Sequence, residues 1–401
     1  MSLFIVRYHE IGLKGNNRSF FESCLKENLN KALADVGPSL FRVRKKRDHF
    51  QVSCDDSIAP MVQDRLRDVM GVAHFCPVVS AKPEWEDVYQ KAEELLKVEI
   101  ERIMGLEGDF KTIPFGPLPF RVSAHRSNKL FPQTSMEMAQ AISRHLLNQF
   151  PVLKVNLKHP KVTFYVDWGR EEVHLYCSKI PGPGGLPVGS SGKVLALISS
   201  GFDSPVASWM MMRRGAKVAF VHFHSYPATS QDSIDHVEGL VKVLTRYQFD
   251  AKLYLIPLLD YQKKVMVAAP SELRTLLYRR MMLRLAERVL FREKAKAFVT
   301  GDSLAQVASQ TLDNLYAVEV VAHRPMLRPL IGIDKREIID WAHRIGTAEL
   351  SSQPDEDCCS LYASPRPQIF ASVEELEKAE AELEVPFFMD KLWAERRVVK
   401  F

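Results

Sequence analysis

Cysteine is scarce in this sequence: there are six in 401 residues, and no two stand in a C-x-x-C pair. That spacing is typical of zinc ribbons and iron–sulfur sites, so neither class of metal site is indicated. Four cysteines stand alone among apolar residues, which predicts buried, reduced thiols and favours the cytoplasm. The sequence also has no apolar run long enough to cross a membrane, and its first residues have the pattern of a strand rather than of a signal peptide.

Charge of one sign is not in large excess. The 54 Lys and Arg residues against 49 Asp and Glu residues leave a net charge of +5. Such a small balance is compatible with nucleic-acid binding but does not identify it. The chain is 46% hydrophobic, and its length allows about two or three domains, each with its own core.

The functional interpretation depends on residues 194–207. Their apolar start, residues 194–198, has the length of a strand buried on both faces, and small polar residues then lead to Pro205, which suits a first helical turn. Loop N–H groups and the helix dipole together form an anion site. The Gly-Lys-Ser/Thr of a Walker loop is missing. The segment instead resembles the PP-loop of ATP pyrophosphatases, S-G-G-x-D-S, with Ser200 in place of one glycine. On this motif alone, a generic strand-to-helix turn is the alternative.

Two α+β regions are predicted before this loop. Residues 1–80 have the order strand, helix, strand, strand, helix, strand, which is ferredoxin-like. Their basic cluster at residues 42–47 would either meet a phosphate backbone or protect an edge strand, and the pattern does not choose. In residues 81–180, basic side chains on strand ends and loops would reach RNA phosphates. They are Arg121, His125, Arg126, Lys129 and Lys161. A Gly- and Pro-rich linker, residues 180–192, marks the next boundary.

Residues 193–300 alternate strands with helices, which predicts a mostly parallel sheet wrapped by helices. In such sheets ligands bind beyond the carboxyl ends of the strands. We therefore expect one site to combine the loop at residues 199–204 with residues at the ends of two further strands. Those residues are His222, Phe223, Gly301 and Asp302.

Several motifs, in order along the chain, together carry a specific family resemblance. They lie at residues 8–16, 122–126, 186–193, 199–205, 222–224, 279–282, 300–314 and 356–360. They resemble the tRNA 4-thiouridine synthetase (tRNA sulfurtransferase, ThiI) family over about residues 4–366. The resemblance implies a ferredoxin-like domain at residues 1–80, a THUMP RNA-binding domain at 81–180 and a PP-loop ATP pyrophosphatase domain at 181–401.

The resemblance also implies the chemistry. ATP, with Mg²⁺, would adenylate O4 of uridine 8 of tRNA, and sulfur from a cysteine persulfide would then replace the adenylate to give 4-thiouridine. The residues implied to bind the nucleotide are Leu197, Ile198, Ser199, Ser200, Gly201, Ser204, His222, Phe223, Arg279, Gly301 and Gln310. Asp203 would either hold Mg²⁺ or order the loop, and both readings stay open. For His222 alone, a locally satisfied strand-end histidine is the alternative.

Cys358 is implied as the persulfide carrier, with Cys359 the second choice, and two ordinary loop cysteines are the alternative. The acids at residues 355–357 would raise the pKa of either thiol, so an arginine or the substrate has to offset them. No cysteine follows Cys359, and only about forty residues remain, including a basic tail at 396–400. We therefore expect no C-terminal rhodanese domain and direct loading of Cys358 by a cysteine desulfurase or a separate carrier. The family also implies a homodimer.

Two other functions compete with this one. The first is another PP-loop tRNA-modifying enzyme, since the loop and the RNA-binding regions would serve both. The second is a catalytically weakened THUMP-type tRNA-binding protein, whose loop, altered at Ser200, no longer turns over ATP. Pyrophosphate release from ATP in the presence of tRNA would separate the enzymes from the binding protein.

Overall fold

The computed structural model describes residues 1–105, 117–127, 131–354 and 362–401. The candidate sulfur carriers Cys358 and Cys359, and the basic residue Lys129, lie outside these described residues. The chain divides into an N-terminal unit (residues 1–12, 29–67 and 72–184) and a C-terminal unit (residues 13–28, 68–71 and 185–401). In the described part of the chain, no helix combines the length and the apolar character that a membrane span requires.

The first 184 residues contain nine strands and four α-helices within the described ranges. In chain order they are β1 (Ser2–Arg7), α1 (Arg18–Ala34), β2 (Phe41–Lys45), β3 (Phe50–Cys54), α2 (Ala59–Leu66), β4 (His74–Ala81), α3 (Trp85–Met104), β5 (Leu118–Arg126), α4 (Ser135–Gln149), β6 (Leu153–Val155), β7 (Val162–Trp168), β8 (Val173–Tyr176) and β9 (Ile180–Pro181).

These strands form one mixed sheet in the order β2-β3-β1-β4-β8-β7-β5-β6, with β9 also paired to β4. The ferredoxin-like order predicted for residues 1–80 is confirmed. Strand β4 pairs with β1 on one side and with β8 on the other, where Val79 lies opposite Leu175. The two regions predicted separately therefore share a sheet, a pairing that local patterns do not reveal.

One face of this sheet is apolar and carries helices. Strand β7 alternates buried and half-buried residues along its whole length, as expected when one face packs on a core. Helices α3 and α4 contribute the other half of that core, with Val88, Ala92 and Leu96 of α3 spaced at helical intervals. The opposite face of the sheet keeps polar side chains such as His125 and Asp167, and so is available to a ligand.

The remaining described residues form an α/β unit. Its elements are β10 (Lys193–Leu197), α5 (Asp203–Arg213), β11 (Lys217–His224), α6 (Asp232–Gln248), β12 (Lys252–Pro257), α7 (Leu259–Ala268), α8 (Arg274–Glu293), β13 (Phe298–Val299), α9 (Leu312–Glu319), β14 (Met326–Leu327), α10 (Lys335–Ile345), α11 (Ala348–Ser351), α12 (Val373–Glu380), α13 (Val385–Ala394) and β15 (Arg397–Lys400).

The predicted parallel sheet is confirmed, with strand order β14-β13-β10-β11-β12-β15 and parallel pairing everywhere except at β15. Successive residues of β10 enter different cores: Leu195 packs on the side of α8, and Ala196 on the side of α5 and α6. Because β10 is central and buried on both faces, the loop that follows it opens in the middle of the sheet's carboxyl edge.

Two details of this sheet differ from the sequence expectation. The basic tail is a strand, β15, which pairs antiparallel with β12 so that Leu253 lies opposite Val399. Its two valines are flanked by three basic residues, Arg396, Arg397 and Lys400, which hide the strand pattern. The fourth parallel strand was expected over residues 296–300, but only Phe298–Val299 is paired as β13.

Candidate nucleotide site and nucleic-acid interface

The loop between β10 and α5 is closed by its two end serines. The Ser199 N–H donates to Ser204 Oγ at 2.8 Å, and Ser204 Oγ lies 3.2 Å from both the hydroxyl and the carbonyl oxygen of Ser199. At Gly201, an added Cβ would have only one atom within 4 Å, Ser199 Oγ at 3.8 Å. The loop therefore has open space above it, at the amino end of a helix, where an anion is favoured. Ser200, also in this loop, is half-buried.

Gly301 brings the end of β13 against the start of α5. A Cβ added to Gly301 would lie 2.7 Å from the Ser204 backbone nitrogen and 2.8 Å from the Asp203 carbonyl carbon. Such distances are shorter than real side chains allow, so only glycine fits here. The structure thus brings together the loops after the first and fourth parallel strands, at the carboxyl edge where the sequence places a ligand.

Asp203 is held by two residues that the sequence analysis did not select. Lys335 Nζ lies 2.7 Å from Oδ1 and 2.9 Å from Oδ2, and the Gln306 side-chain amide donates to Oδ2 at 3.3 Å. Lys335 is the first residue of α10, whose N-cap Asp334 accepts from the backbone N–H groups of two following residues. An Asp directly before a helix is an N-cap signal that the sequence offers, but it does not identify Asp203 as the partner of Lys335. The Asp203 carboxylate and the Lys335 ammonium group therefore lie together beside the loop at residues 199–204.

Asp302 is the centre of a second charged cluster. It accepts from Arg279 at 2.7 Å, from the Thr300 hydroxyl at 2.7 Å, from Gln310 at 3.2 Å and from Arg328 at 3.4 Å. Burial acts to raise the Asp302 pKa, but the charge of Arg279, the hydrogen bonds and Arg328 outweigh it, so the pKa lies below its usual range. The buried carboxylate therefore stays ionised at neutral pH and neutralises part of the charge of Arg279.

A small cavity adjoins this cluster. Its volume is about 40 Å³, well below the roughly 300–1,000 Å³ of ligand pockets. Two strands, two helices and the segments after β13 and β14 line it, through Leu197, Arg279, Met282, Leu283, Thr300, Asp302, Leu315, Val318, Met326 and Arg328. Leu197 and Arg279, both implied to bind the nucleotide, line the same cavity, but the cavity is too small to hold a nucleotide. The open space above Gly201 is the better place for one.

His222 and Phe223 lie near the end of β11 and point to opposite faces of the sheet. His222 is buried, with Nδ1 2.9 Å from the carbonyl oxygen of Ile198 and Nε2 3.4 Å from Ser233 Oγ. Phe223 packs into the core on the other side, near Leu195. Both ring nitrogens of His222 have protein partners, so this side chain fixes the position at which the loop leaves β10.

The N-terminal unit carries a polar groove of about 740 Å³. Its lining includes Arg7, Lys46, Arg47, Asp48, His49, Gln51, His125, Arg126, Ser127, Asp167, Trp168, Gly169, Arg170, Glu171, Glu172 and His174. Arg7 is paired with Asp167 at 2.7 Å, which leaves its charge largely compensated. Two predicted phosphate contacts have structural partners: Arg126 donates to the Phe131 carbonyl at 2.8 Å, and Arg121 to the Thr163 hydroxyl at 3.2 Å.

A parallel sheet whose central strand leads through a Ser/Gly loop into a helix defines a nucleotide-binding α/β protein. Three family models match the chain. The ThiI ferredoxin-like domain matches residues 3–76, the THUMP domain matches residues 83–178, and the thiamine biosynthesis protein (ThiI) model matches residues 189–385.

Relatives that match nearly the whole chain point to the same family. A probable tRNA sulfurtransferase of Thermoanaerobacter sp. (strain X514) is 38% identical over 97% of either chain. A probable tRNA sulfurtransferase of Thermus thermophilus is 40% identical over 100% of this chain and 94% of its own length. The crystal structure of a 4-thiouridine synthetase–RNA complex with bound ATP is 31% identical, with a TM-score of 0.89 and full coverage of both chains. This chain belongs to the ThiI tRNA sulfurtransferase family.

Proposed function

We propose that this chain is an ATP-dependent tRNA sulfurtransferase, which converts uridine 8 of tRNA to 4-thiouridine. The observation that carries the proposal is the loop closed by Ser199 and Ser204 beside the Asp203–Lys335 pair, in a chain of this family. A relative of matching fold, 31% identical, has been solved with both RNA and ATP. Another PP-loop tRNA-modifying enzyme, or a tRNA-binding protein without turnover, is the alternative outcome of the test below.

The first step is activation of a poor leaving group. O4 of the uracil attacks the α-phosphorus of ATP, the bond from that phosphorus to the bridging oxygen breaks, and pyrophosphate leaves while the uracil loses its N3 proton. The backbone N–H groups of Ser200 and Gly201, with the serine hydroxyls, would stabilise the charge that develops on pyrophosphate. Lys335, which is paired with Asp203, would supply a positive charge beside this loop.

Mg²⁺, which the family resemblance implies, fits this site with Asp203 as a single protein ligand. Magnesium sites often use one or two carboxylates, and the substrate's phosphates and water supply the other oxygens. The Asp203 side chain is partly exposed beside the loop. Among the described residues, no three His, Cys, Asp or Glu side chains are grouped to hold a metal. When bound, Mg²⁺ would neutralise charge on the leaving pyrophosphate.

We propose that tRNA binds to the N-terminal unit. The division of this part of the chain into a ferredoxin-like domain at residues 1–80 and a THUMP domain at residues 81–180 stays a prediction. Its groove presents Lys46, Arg47 and Arg170 together with His125, a set suited to a phosphate backbone. The adjoining strand β2 adds Arg42 and Arg44, both exposed. Phosphate contacts of this kind position an RNA without reading its bases, so they suit an enzyme that acts on many tRNAs.

The second step delivers sulfur. A persulfide on Cys358, or else on Cys359, attacks C4 with its terminal sulfur and expels AMP. A second thiol then reduces the resulting disulfide and releases 4-thiouridine. We propose a cysteine desulfurase as the sulfur donor. A homodimer, which the resemblance implies, and a cytoplasmic location, which the isolated cysteines favour, stay predictions.

The test combines unmodified tRNA, ATP, Mg²⁺, cysteine, a thiol reductant and a cysteine desulfurase, with 4-thiouridine measured by its absorbance and pyrophosphate measured separately. Wild-type protein is expected to form both products, and only when ATP is present. Pyrophosphate without 4-thiouridine would point to a different modified base. Bound tRNA with neither product would support the non-catalytic binding protein.

Lys335 provides the prediction specific to the phosphate end of the site. Lys335→Met keeps the length of the side chain but removes its charge and both bonds to Asp203. A charge-assisted contact of about 2 kcal/mol corresponds to about a 30-fold fall in pyrophosphate release. This fall is measured by steady-state kinetics of pyrophosphate release in the presence of tRNA. Lys378→Met, at an exposed position of α12 outside both the nucleotide site and the proposed tRNA groove, is the control, and an unchanged rate in Lys335→Met would exclude a role for this charge.

A further inference from the structure

The turn at residues 303–310 has a strained backbone. Ala305 has φ of +59°, in the left-handed region that a residue with a Cβ rarely adopts. The other non-glycine residues with positive φ are Phe249 and Lys294, which are helix C-caps, where that backbone is common, and Glu384, the N-cap of α13. Ala305 follows no helix, so its strain has no capping role. Strain of this kind is often kept where function requires the geometry.

Hydrogen bonds close this turn around Ala305. The Ala305 N–H donates to the carbonyl oxygen of Gln310 at 2.9 Å, and the Gln306 N–H donates to that of Ser303 at 3.3 Å. Both glutamines then direct their side chains to acids of the nucleotide site. Gln306 Nε2 donates to Asp203 at 3.3 Å, and Gln310 Nε2 donates to Asp302 at 3.2 Å.

Two different groups therefore reach the same oxygen of Asp203. Lys335 approaches Oδ2 from α10 at 2.9 Å, and the Gln306 amide approaches it from the turn. A polyphosphate entering the loop attracts the lysine charge, because opposite charges at such distances interact strongly. The neutral amide has no net charge for phosphate to attract. It can hold the carboxylate while Lys335 is shared with the substrate.

We propose that Gln306 is a positioning residue for pyrophosphate release, and that the left-handed turn at Ala305 is what delivers its amide to Asp203. The proposal rests on the proposed function and adds a residue to it. Gln306 acts through Asp203; it takes no proton and forms no covalent bond. It is exposed, so its removal should leave the folded core intact, in contrast to loss of a buried residue.

Gln306→Ala tests the proposal directly. We expect kcat for pyrophosphate release to fall about 10-fold, equivalent to about 1.4 kcal/mol, with KM for ATP changed less than about 2-fold. Binding of a fluorescent ATP analogue without tRNA and the thermal unfolding temperature should match wild type. Gln90→Ala is the matched control, because Gln90 is also exposed and also donates to a carboxylate, that of Glu94 at 3.1 Å, on the solvent side of α3 in the N-terminal unit. An unchanged kcat in Gln306→Ala would overturn the proposal.

A second pair of variants tests the turn. Ala305→Val should lower kcat about as far as Gln306→Ala, because a β-branched residue disfavours the left-handed conformation. Ala305→Gly, which accepts it freely, should keep wild-type kcat. Wild-type kcat in Ala305→Val, or an equal fall in Ala305→Gly, would contradict the proposal. If wild-type protein itself released no pyrophosphate, the proposed function would fail instead, so the two failures are distinguishable.

Discussion

Replacing Cys358 with alanine is expected to abolish 4-thiouridine formation, while tRNA- and ATP-dependent pyrophosphate release stays within about 2-fold of wild type. The reason is that activation and sulfur delivery use different groups. In the proposed mechanism, activation uses the loop at residues 199–204 and the Asp203–Lys335 pair. Sulfur delivery needs an accessible thiolate that carries a persulfide. Quantifying both products in the same reaction separates the two steps.

Cys359→Ala is the companion variant and should retain 4-thiouridine formation. Cys24→Ala is the control, because burial and the charge of Glu27 raise the pKa of the Cys24 thiol and disfavour its thiolate. Loss of product in Cys359→Ala alone would move the persulfide to Cys359. Full product in both single variants would contradict a cysteine carrier in this segment and favour direct sulfur transfer from the donor.

The parts of the fold that were predictable are those encoded by local patterns. The apolar run before the loop, Pro205 at the helix start and the alternation of strands with helices specify a parallel sheet with a ligand edge. The structure has that sheet, with β10 at its centre. Placement of Gly301 against Ser204 follows from the same rule, because the carboxyl ends of neighbouring parallel strands lie at one edge.

Features that depend on distant parts of the chain were not predictable in this way. Lys335 reaches Asp203 across 132 positions, and nothing local to either residue identifies the other. The pairing of β4 with β8, which joins two predicted domains into one sheet, is likewise long-range. Gln306 lies in a motif that the family resemblance already included, but its contact depends on the backbone at Ala305, which sequence does not show.

The contacts also refine how the implied nucleotide residues would work. Arg279 bonds Asp302 at 2.7 Å and the Ser309 carbonyl at 3.1 Å, so much of its donor capacity already serves the protein. Lys335 is more exposed than Arg279 and has a partner, Asp203, that is itself partly exposed. Solvent screens the attraction in the exposed Lys335–Asp203 pair more than in the buried Arg279–Asp302 pair. Lys335 can therefore leave its partner for an incoming phosphate more easily than Arg279 can.

Gly301→Ala should have the largest effect of any single methyl group added at this site. The new Cβ would lie 2.7 Å from the Ser204 nitrogen and 2.8 Å from the Asp203 carbonyl carbon, and neither backbone atom can rotate away. The end of β13 and the start of α5 must then separate. A displacement of about 1 Å at a catalytic site costs about 100-fold in rate, and we expect that fall in pyrophosphate release. Overpacking should also lower the free energy of unfolding by about 1–3 kcal/mol.

Gly332→Ala is the matched control, because a Cβ added there meets no atom within 4 Å. Pyrophosphate release and urea unfolding, measured on both variants and on wild type, separate a site effect from a general loss of stability. A folded Gly301→Ala protein with weakened ATP binding would show that the contact between β13 and α5 shapes the phosphate loop. Wild-type rate and stability in Gly301→Ala would contradict that contact, and with it the assignment of Gly301 to the nucleotide site.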